Sequence, residues 1–339
     1  MSIPSDPVEE SPAIALHRDA LVVDFTVPFA DIGDPRRKRA LLPRYAASGV
    51  DCVSLSVSGD TGQAADTLKT IARERARIAA EPERYLLAAN VADIRRAHQE
   101  GRLAVVFNFQ GTDPLEGSLE LVEAYYALGV RHMGLAYNLR NRVGDGCFEP
   151  NDAGLSLFGR KLIAQMNRCG MLIDGSHAGV RTSLHAMELS SAPVIFSHAN
   201  PAGLCPHPRN LSDEQIRACA ATGGVVGILG ISNMLGTDGD VSPERIATHV
   251  DYCVQLVGIE HVGLALDCVY DPAGTYQWAL AQAGGELPKS GNYRADMPLA
   301  EPECYPGITQ ALLARGYTPE QVRAVLGENW LRVGAAVWK

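Results

Sequence analysis

Eight short apolar, β-branched runs alternate with longer stretches of helical periodicity, and this alternation constrains the fold more than any other feature of the chain. The runs cover residues 21–25, 50–57, 103–109, 132–137, 171–175, 193–198, 224–230 and 261–267. Each is close to continuously apolar, as parallel strands covered on both faces are. Helical periodicity fills 63–80, 118–128, 155–169, 181–189, 212–221 and 243–257. Ser212 and Ser242 stand where N-caps are expected, the second just before Pro243. Gly129 and Gly170 follow the last helical residues, where a left-handed backbone favours glycine. Strand–helix repetition implies a parallel α/β architecture, and eight units favour a closed (β/α)₈ TIM barrel over an open sheet.

A barrel uses roughly 250 residues and carries insertions readily, so the 339 residues read as one domain over 1–339. Within it, 1–15 reads as an N-terminal extension, 270–306 as a long loop insertion after strand 8, and 307–339 as terminal helices. A net charge of −9 argues against a nucleic-acid partner. The short basic run at Arg36, Arg37, Lys38 and Arg39 reads as a solvated loop or helix start. Residues 1–12 are polar and acidic, without the signature of a signal peptide, and no apolar stretch is long enough to suggest a spanning helix. The expectation is a cytoplasmic protein with no membrane partner. The 8 cysteines form no C-x-x-C pair and read mostly as buried small hydrophobes. Cys205 and Cys268 fall beside candidate site residues.

In such a barrel, residues just past the carboxyl ends of the strands meet at one mouth. Those positions hold Asp24, Gln110, Tyr137, His177, His198 and Asp267. His177 taken alone reads as a structural hydrogen-bonding residue as readily as a ligand. His198 at the next strand end changes that reading, because neighbouring strands place the two side by side. Imidazole nitrogen suits zinc and related cations, and a carboxylate opposite could accept a proton from water. Asp267 ends a very apolar strand, where a carboxylate needs either a partner or a function. His17, His98, His132, His185, His249 and His261 read as surface, capping or packing residues. His207, in the loop 200–210, is a weaker candidate.

Three motifs carry a resemblance. They are Asn167-Arg-Cys-Gly-Met-Leu-Ile-Asp-Gly-Ser-His177, Ala192-Pro-Val-Ile-Phe-Ser-His198 and Pro208-Arg-Asn-Leu-Ser-Asp213. With Leu155-Ser-Leu-Phe-Gly159, His261-Val-Gly and Glu328-Asn-Trp-Leu-Arg-Val, they resemble the membrane dipeptidase (renal dipeptidase) family over nearly the whole chain. The resemblance implies an amidohydrolase-type, zinc-dependent hydrolase of dipeptides and a homodimer. It also implies roles: His177 and His198 as ligands of one metal, Asp267 serving the catalytic water, Arg209 with Asn210 binding a substrate carboxylate, and Tyr137 at the scissile carbonyl.

The chain departs from that pattern in three places. After the first strand, Asp24-Phe-Thr-Val-Pro28 replaces the family's Asp-Gly-His-x-Asp, so both ligands of one metal are missing, and Asp24 matches the aspartate ahead of them. Gln110 stands where a bridging glutamate is expected, and Tyr137 where the family has a histidine. The reading is therefore a hydrolase with one zinc, on His177 and His198 with Gln110 or water completing the shell, the second site being lost. Its substrate is a dipeptide or small amide carrying a free carboxylate. Two alternatives stay open: a metal-free lyase or isomerase, and a catalytically degenerate carboxylate-binding homologue. Trp278 and Tyr305, within 270–306, are expected to shape the substrate pocket.

Overall fold

The computed structural model describes residues 11–28 and 35–339. Nine parallel strands are present among them: β1 (Val23–Val27), β2 (Cys52–Ser58), β3 (Tyr85–Leu87), β4 (Leu103–Phe109), β5 (Val130–Gly134), β6 (Leu172–Asp174), β7 (Val194–Ile195), β8 (Val226–Ile228) and β9 (Val262–Leu264). The pairing order runs β1-β2-β4-β5-β6-β7, then β8-β9. All eight expected runs carry a strand, and β3 is the addition. It pairs with the lower half of β4 (Tyr85↔Leu103 to Leu87↔Val105), while β5 pairs with the upper half (Phe107↔Val130 to Phe109↔Met133).

Two joints complete the ring. Between β7 and β8, Phe196 N–H donates to the Val225 carbonyl at 3.0 Å and Gly227 N–H to the Phe196 carbonyl at 2.8 Å. Between β9 and β1 a side chain does the work: Asp24 Oδ2 accepts from Leu266 N–H at 3.2 Å, and its Oδ1 accepts from Thr26 N–H at 3.0 Å. The Tyr45 and Tyr305 hydroxyls are directed at the same carboxylate, and burial raises its pKa to about 6.

The period-two alternation of strands sorts side chains between two hydrophobic layers. Along β4, Leu103, Val105, Phe107 and Phe109 pack outward under the helices, whereas Ala104 and Val106 pack inward. By the same parity Asn108 and Gln110 face the interior. Cys52, Leu172 and Ile195 give the lower interior an apolar lining. Ser54, Ser56, Asn108, Asp174 and Ser197, all buried, make the upper interior polar. Trp330, from the helix Asn329–Val337, fills the lower end. Its ring stacks on Phe25 with centroids 4.2 Å apart, and its Nε1–H donates to the Leu264 carbonyl at 3.1 Å. Gly263 is required beside it: a Cβ there would lie 2.5 Å from Trp330 Nε1.

Helices cover the outside. Gly170 (φ 83°) ends the helix Leu157–Cys169, as the sequence led us to expect. The insertion after β9 is not all loop, since Pro272–Gln282 is helical with Asp271 capping Gly274 N–H. The helices Tyr305–Ala314, Pro319–Arg323 and Asn329–Val337 follow it. Residues 35–47 are helical, but the side chains of the basic run Arg36–Arg39, like residues 1–10, lie outside the described residues. Among the described residues no helix is long and apolar enough to cross a membrane.

Trp330→Ala empties the lower barrel, and a loss of about 3–5 kcal/mol is expected for a buried Trp. A urea titration showing a loss below about 1 kcal/mol would contradict the role assigned to that ring.

Candidate active site

The mouth of the barrel is built from residues that follow the strands directly. His177, three residues past the end of β6, and Asp267, three past the end of β9, both have left-handed backbones, with φ of 67° and 56°; Asn138, beyond β5, has φ of 61°. Non-glycine residues seldom adopt this region, and such strain concentrates where a side chain must be aimed. Here the surroundings hold it: the Cys147 N–H donates to the His177 carbonyl at 2.8 Å, and Leu266 is fixed by Asp24.

Hydrogen-bond bookkeeping assigns the protons on both histidines. Asp174 is fully buried and accepts from Ser176 N–H at 2.9 Å, Ser197 N–H at 3.0 Å and Ser197 Oγ at 2.5 Å. Burial alone would raise this carboxyl, but its hydrogen bonds with His132 and Ser197 outweigh that and hold it well below the usual range. Asp174 is therefore an acceptor and takes the one hydroxyl proton of Ser197. Thr26 Oγ1 likewise donates to the Phe25 carbonyl at 2.7 Å. His198 Nδ1 lies 2.6 Å from Ser197 Oγ and 3.2 Å from Thr26 Oγ1, and both hydroxyl hydrogens are engaged elsewhere. Nδ1 must carry the hydrogen, which leaves a lone pair on Nε2. His177 Nδ1 lies 2.7 Å from Asn138 Oδ1, an oxygen the Cys147 thiol also approaches at 3.4 Å. That oxygen accepts, so His177 is also protonated on Nδ1. Two Nε2 lone pairs then face each other at 2.8 Å. Two neutral imidazoles cannot hydrogen-bond in this arrangement, and a cation held by both nitrogens would resolve it. Burial and the Arg209 guanidinium both depress the pKa of each histidine, which opposes a shared proton. Neutral imidazole is the form that ligates a metal, and a partner on the other ring nitrogen is what orients it.

The remaining candidates converge on the same place. A cleft of about 820 Å³ is lined by Gln110, Tyr137, His177, Arg209 and Asp267 together. Tyr137 stacks on His177 with centroids 4.0 Å apart, and Trp278 stands edge-on to it at 5.6 Å. Gln110 donates from Nε2 to Ser56 Oγ at 2.9 Å, which leaves its amide oxygen as the group it can offer. Asp267 is raised to about 7 by burial and by the neighbouring Asp24, with Arg209 acting against the shift. Arg209 is 3% exposed. Its Nη2 donates to the His198 carbonyl at 3.1 Å, its backbone N–H to His207 Nδ1 at 3.1 Å, and its Nε has no partner. His207 thus supports Arg209 instead of facing a ligand: its Nε2 donates to the Gly291 carbonyl at 3.1 Å, and burial lowers its pKa to about 4.

Two expectations change. Asn210 does not line this cleft. Its Nδ2 donates to the carbonyls of Cys205 and Met234, both at 2.8 Å, and it borders a separate cavity of about 530 Å³ behind His177 and Arg209. Tyr305 does not shape the pocket either, because it begins a terminal helix that packs it under the barrel joint at Asp24. Asp60 was not anticipated. Its carboxylate accepts from Thr112 N–H at 2.6 Å, Tyr137 N–H at 2.6 Å and Asn141 Nδ2 at 2.8 Å, tying together the segments after β2, β4 and β5. A lone aspartate in a Gly-Asp-Thr-Gly loop carries no signal for such a role. Asn138, beside Tyr137, and Asp174, in the motif ending at His177, could have been found by asking which groups orient the histidines.

Comparison with known proteins identifies the family. The sequence profile of the membrane dipeptidase family (peptidase family M19) matches residues 8–279. An uncharacterized protein in the pqqA 5′ region of Klebsiella pneumoniae is 32% identical over 272 residues, covering 77% of this chain and 92% of that protein. Dipeptidase aclJ of Aspergillus oryzae is 30% identical over 259 residues, covering 74% of this chain but only 56% of its own length. The crystal structure of an amidohydrolase from Pseudomonas aeruginosa superposes with a TM-score of 0.87 at 31% identity, over 96% of this chain and 99% of that one. The chain belongs to the membrane dipeptidase family, peptidase family M19.

Proposed function

We propose that this protein is a metal-dependent hydrolase of amide bonds in small, carboxylate-bearing, dipeptide-like substrates, working with a single zinc ion. The observation that carries the reading is the pair of Nε2 lone pairs facing each other at 2.8 Å. The dipeptidase named among its relatives supports the reaction class. His177 and His198 would hold the ion, with the Gln110 amide oxygen or water completing its shell. No group of three His, Cys, Asp or Glu able to hold a metal occurs among the described residues, so an ion on His177 and His198 would depend on Gln110 or water for its remaining ligands. When bound, zinc would supply Lewis-acid polarisation of the carbonyl and acidify a water molecule.

The protein's own groups do the rest. The guanidinium of Arg209, with its Nε unpartnered, anchors the substrate carboxylate through charge-assisted hydrogen bonds. Asp267 takes a proton from the attacking water and returns it to the departing nitrogen. The Tyr137 hydroxyl, held protonated by burial, donates to the oxygen that gains charge. Stacking on His177 fixes its ring.

Elemental analysis should find close to one zinc per chain. His198→Ala should lose the metal and the activity together. A fully active, metal-free preparation would overturn the reading.

Asp267 must be ionised to act, and its pKa is about 7. The rate should therefore fall as pH drops through about 7. Asp267→Asn should remove that limb and slow turnover by about 10²–10⁴-fold. The linkage has the opposite sign for stability. A carboxyl with a raised folded pKa favours the fold at low pH and loses that contribution as pH rises from about 4 to about 7. Asp267→Asn should therefore stabilise the protein above pH 7, on the order of 1–2 kcal/mol given the partial exposure of the group to the cleft. Thermal melts at pH 8 showing a less stable variant would contradict this.

A further inference from the structure

Resting on the hydrolase reading above, the cleft's walls say more about the substrate than the catalytic groups do. Beyond Asp267 the cleft is bounded by Ile231, Met234, Val269, Ala279, Leu287 and Leu299, with the ring of Tyr293 among them. Ala279, Leu287 and Leu299 belong to the insertion after β9 and Val269 immediately precedes it, so this wall is largely a property of that segment.

The charges on the described lining are unequal. Arg209 is buried at the base, and Arg294 is exposed at the rim, 3.4 Å from Asp296. Asp267 is the one acid among the described lining residues, and the reaction needs it as the base. Two further carboxylates, Glu149 and Asp152, border the separate cavity behind His177 and Arg209. Both are engaged there. Glu149 accepts from Arg140 N–H at 2.8 Å, and Asp152 accepts from Arg181 N–H at 2.5 Å and Gly154 N–H at 2.8 Å. An ordinary dipeptide places an α-ammonium beside the carbonyl under attack. In this cleft that cation would lose its water against apolar side chains with, among the described lining residues, no counter-ion other than the catalytic base, which is unfavourable. An uncharged apolar acyl group loses nothing there and gains by burial.

We infer that the preferred substrates are N-acyl amino acids: the amino-acid carboxylate lies on Arg209, and an apolar acyl chain lies against the wall made by Val269, Ala279 and Leu287. The reaction balances as a hydrolysis. The water oxygen bonds to the acyl carbon, and the C–N bond breaks with its electron pair going to nitrogen. The proton taken by Asp267 ends on that nitrogen. A fatty carboxylate and a free amino acid leave, and nothing is oxidised or reduced.

The test compares release of alanine by the zinc-loaded protein from N-octanoyl-alanine, N-acetyl-alanine and leucyl-alanine, each in both alanine configurations. N-octanoyl-ethylamine serves as the probe without a carboxylate, its turnover followed by release of ethylamine. Each methylene added to the acyl chain should raise kcat/KM roughly three- to fourfold until the cleft is filled, so octanoyl should exceed acetyl by on the order of 100-fold or more. Leucyl-alanine should be slower than N-octanoyl-alanine by at least about tenfold, and the ethylamide slower still, for want of the Arg209 contact. Ala279→Glu, on a partly exposed helical face, should invert the first preference by giving the wall an acid. Leucyl-alanine turned over faster than N-octanoyl-alanine would overturn the substrate inference and leave the hydrolase reading intact. An unchanged preference in Ala279→Glu would overturn the role given to the wall. No turnover of any probe would sink the hydrolase reading and this inference with it.

Discussion

The buried carboxylate of Asp174 organises the upper half of the barrel. An ionised group in that position is costly unless it is well supplied with donors, and Asp174 has two backbone N–H groups and the Ser197 hydroxyl, with His132 Nδ1 3.5 Å away. Because Ser197 gives its hydrogen to Asp174, His198 must give its own to Ser197, and the imidazole is left with its lone pair aimed at the mouth. A charge near the middle of the barrel thus sets the protonation of the buried His198 ring above it.

The same chain of bonds runs on around the interior. Gln110 donates to Ser56, Ser56 to Asn108, and Asn108 to Ser54, which lies 2.7 Å from His132 Nε2. Every proton in this series has one consistent direction, from the Gln110 amide to His132. Polar groups placed in this way hold one arrangement, since reversing any member leaves a buried donor or acceptor unpaired. Below this belt the interior is apolar and closed by Trp330 on Phe25. Rigid packing beneath and directed polarity above let the barrel hold two strained residues, His177 and Asp267, at its rim.

Much of this was legible in residue order. Eight apolar runs announced the barrel, and the residues just past their ends gave Gln110, Tyr137, His177 and Asp267, which line one cleft with Arg209, and His198, whose Nε2 lies 2.8 Å from that of His177. The lapses have physical causes. Tyr85–Leu87 has three residues and pairs only with the lower half of β4, too short for any periodicity to show. Tyr305 sits by number at the edge of the insertion, but its helix turns it into the core beneath Asp24. Asn210 follows Arg209 in sequence, yet consecutive residues of a loop need not face the same cavity, and these two do not share the cleft.

The sequence by itself determined eight of the nine strands, the inward and outward parity of those eight, and the set of chemical groups delivered to the mouth. Those follow from local periodicity and from the rule that parallel strands end on one face. It also determined what the first-strand motif lacks, because Asp24-Phe-Thr-Val-Pro28 holds neither the histidine nor the second aspartate of the family's stretch. Only the tertiary structure decided how those groups are protonated and what surrounds them. The tautomers of His177 and His198 depend on Asn138, Ser197, Thr26 and Asp174, brought together from four separate segments. The apolar wall of the cleft depends on how the insertion after β9 folds back over the mouth. Hydrogen-bond direction and local solvation are properties of neighbours in space, and neighbours in space are what a linear sequence does not state.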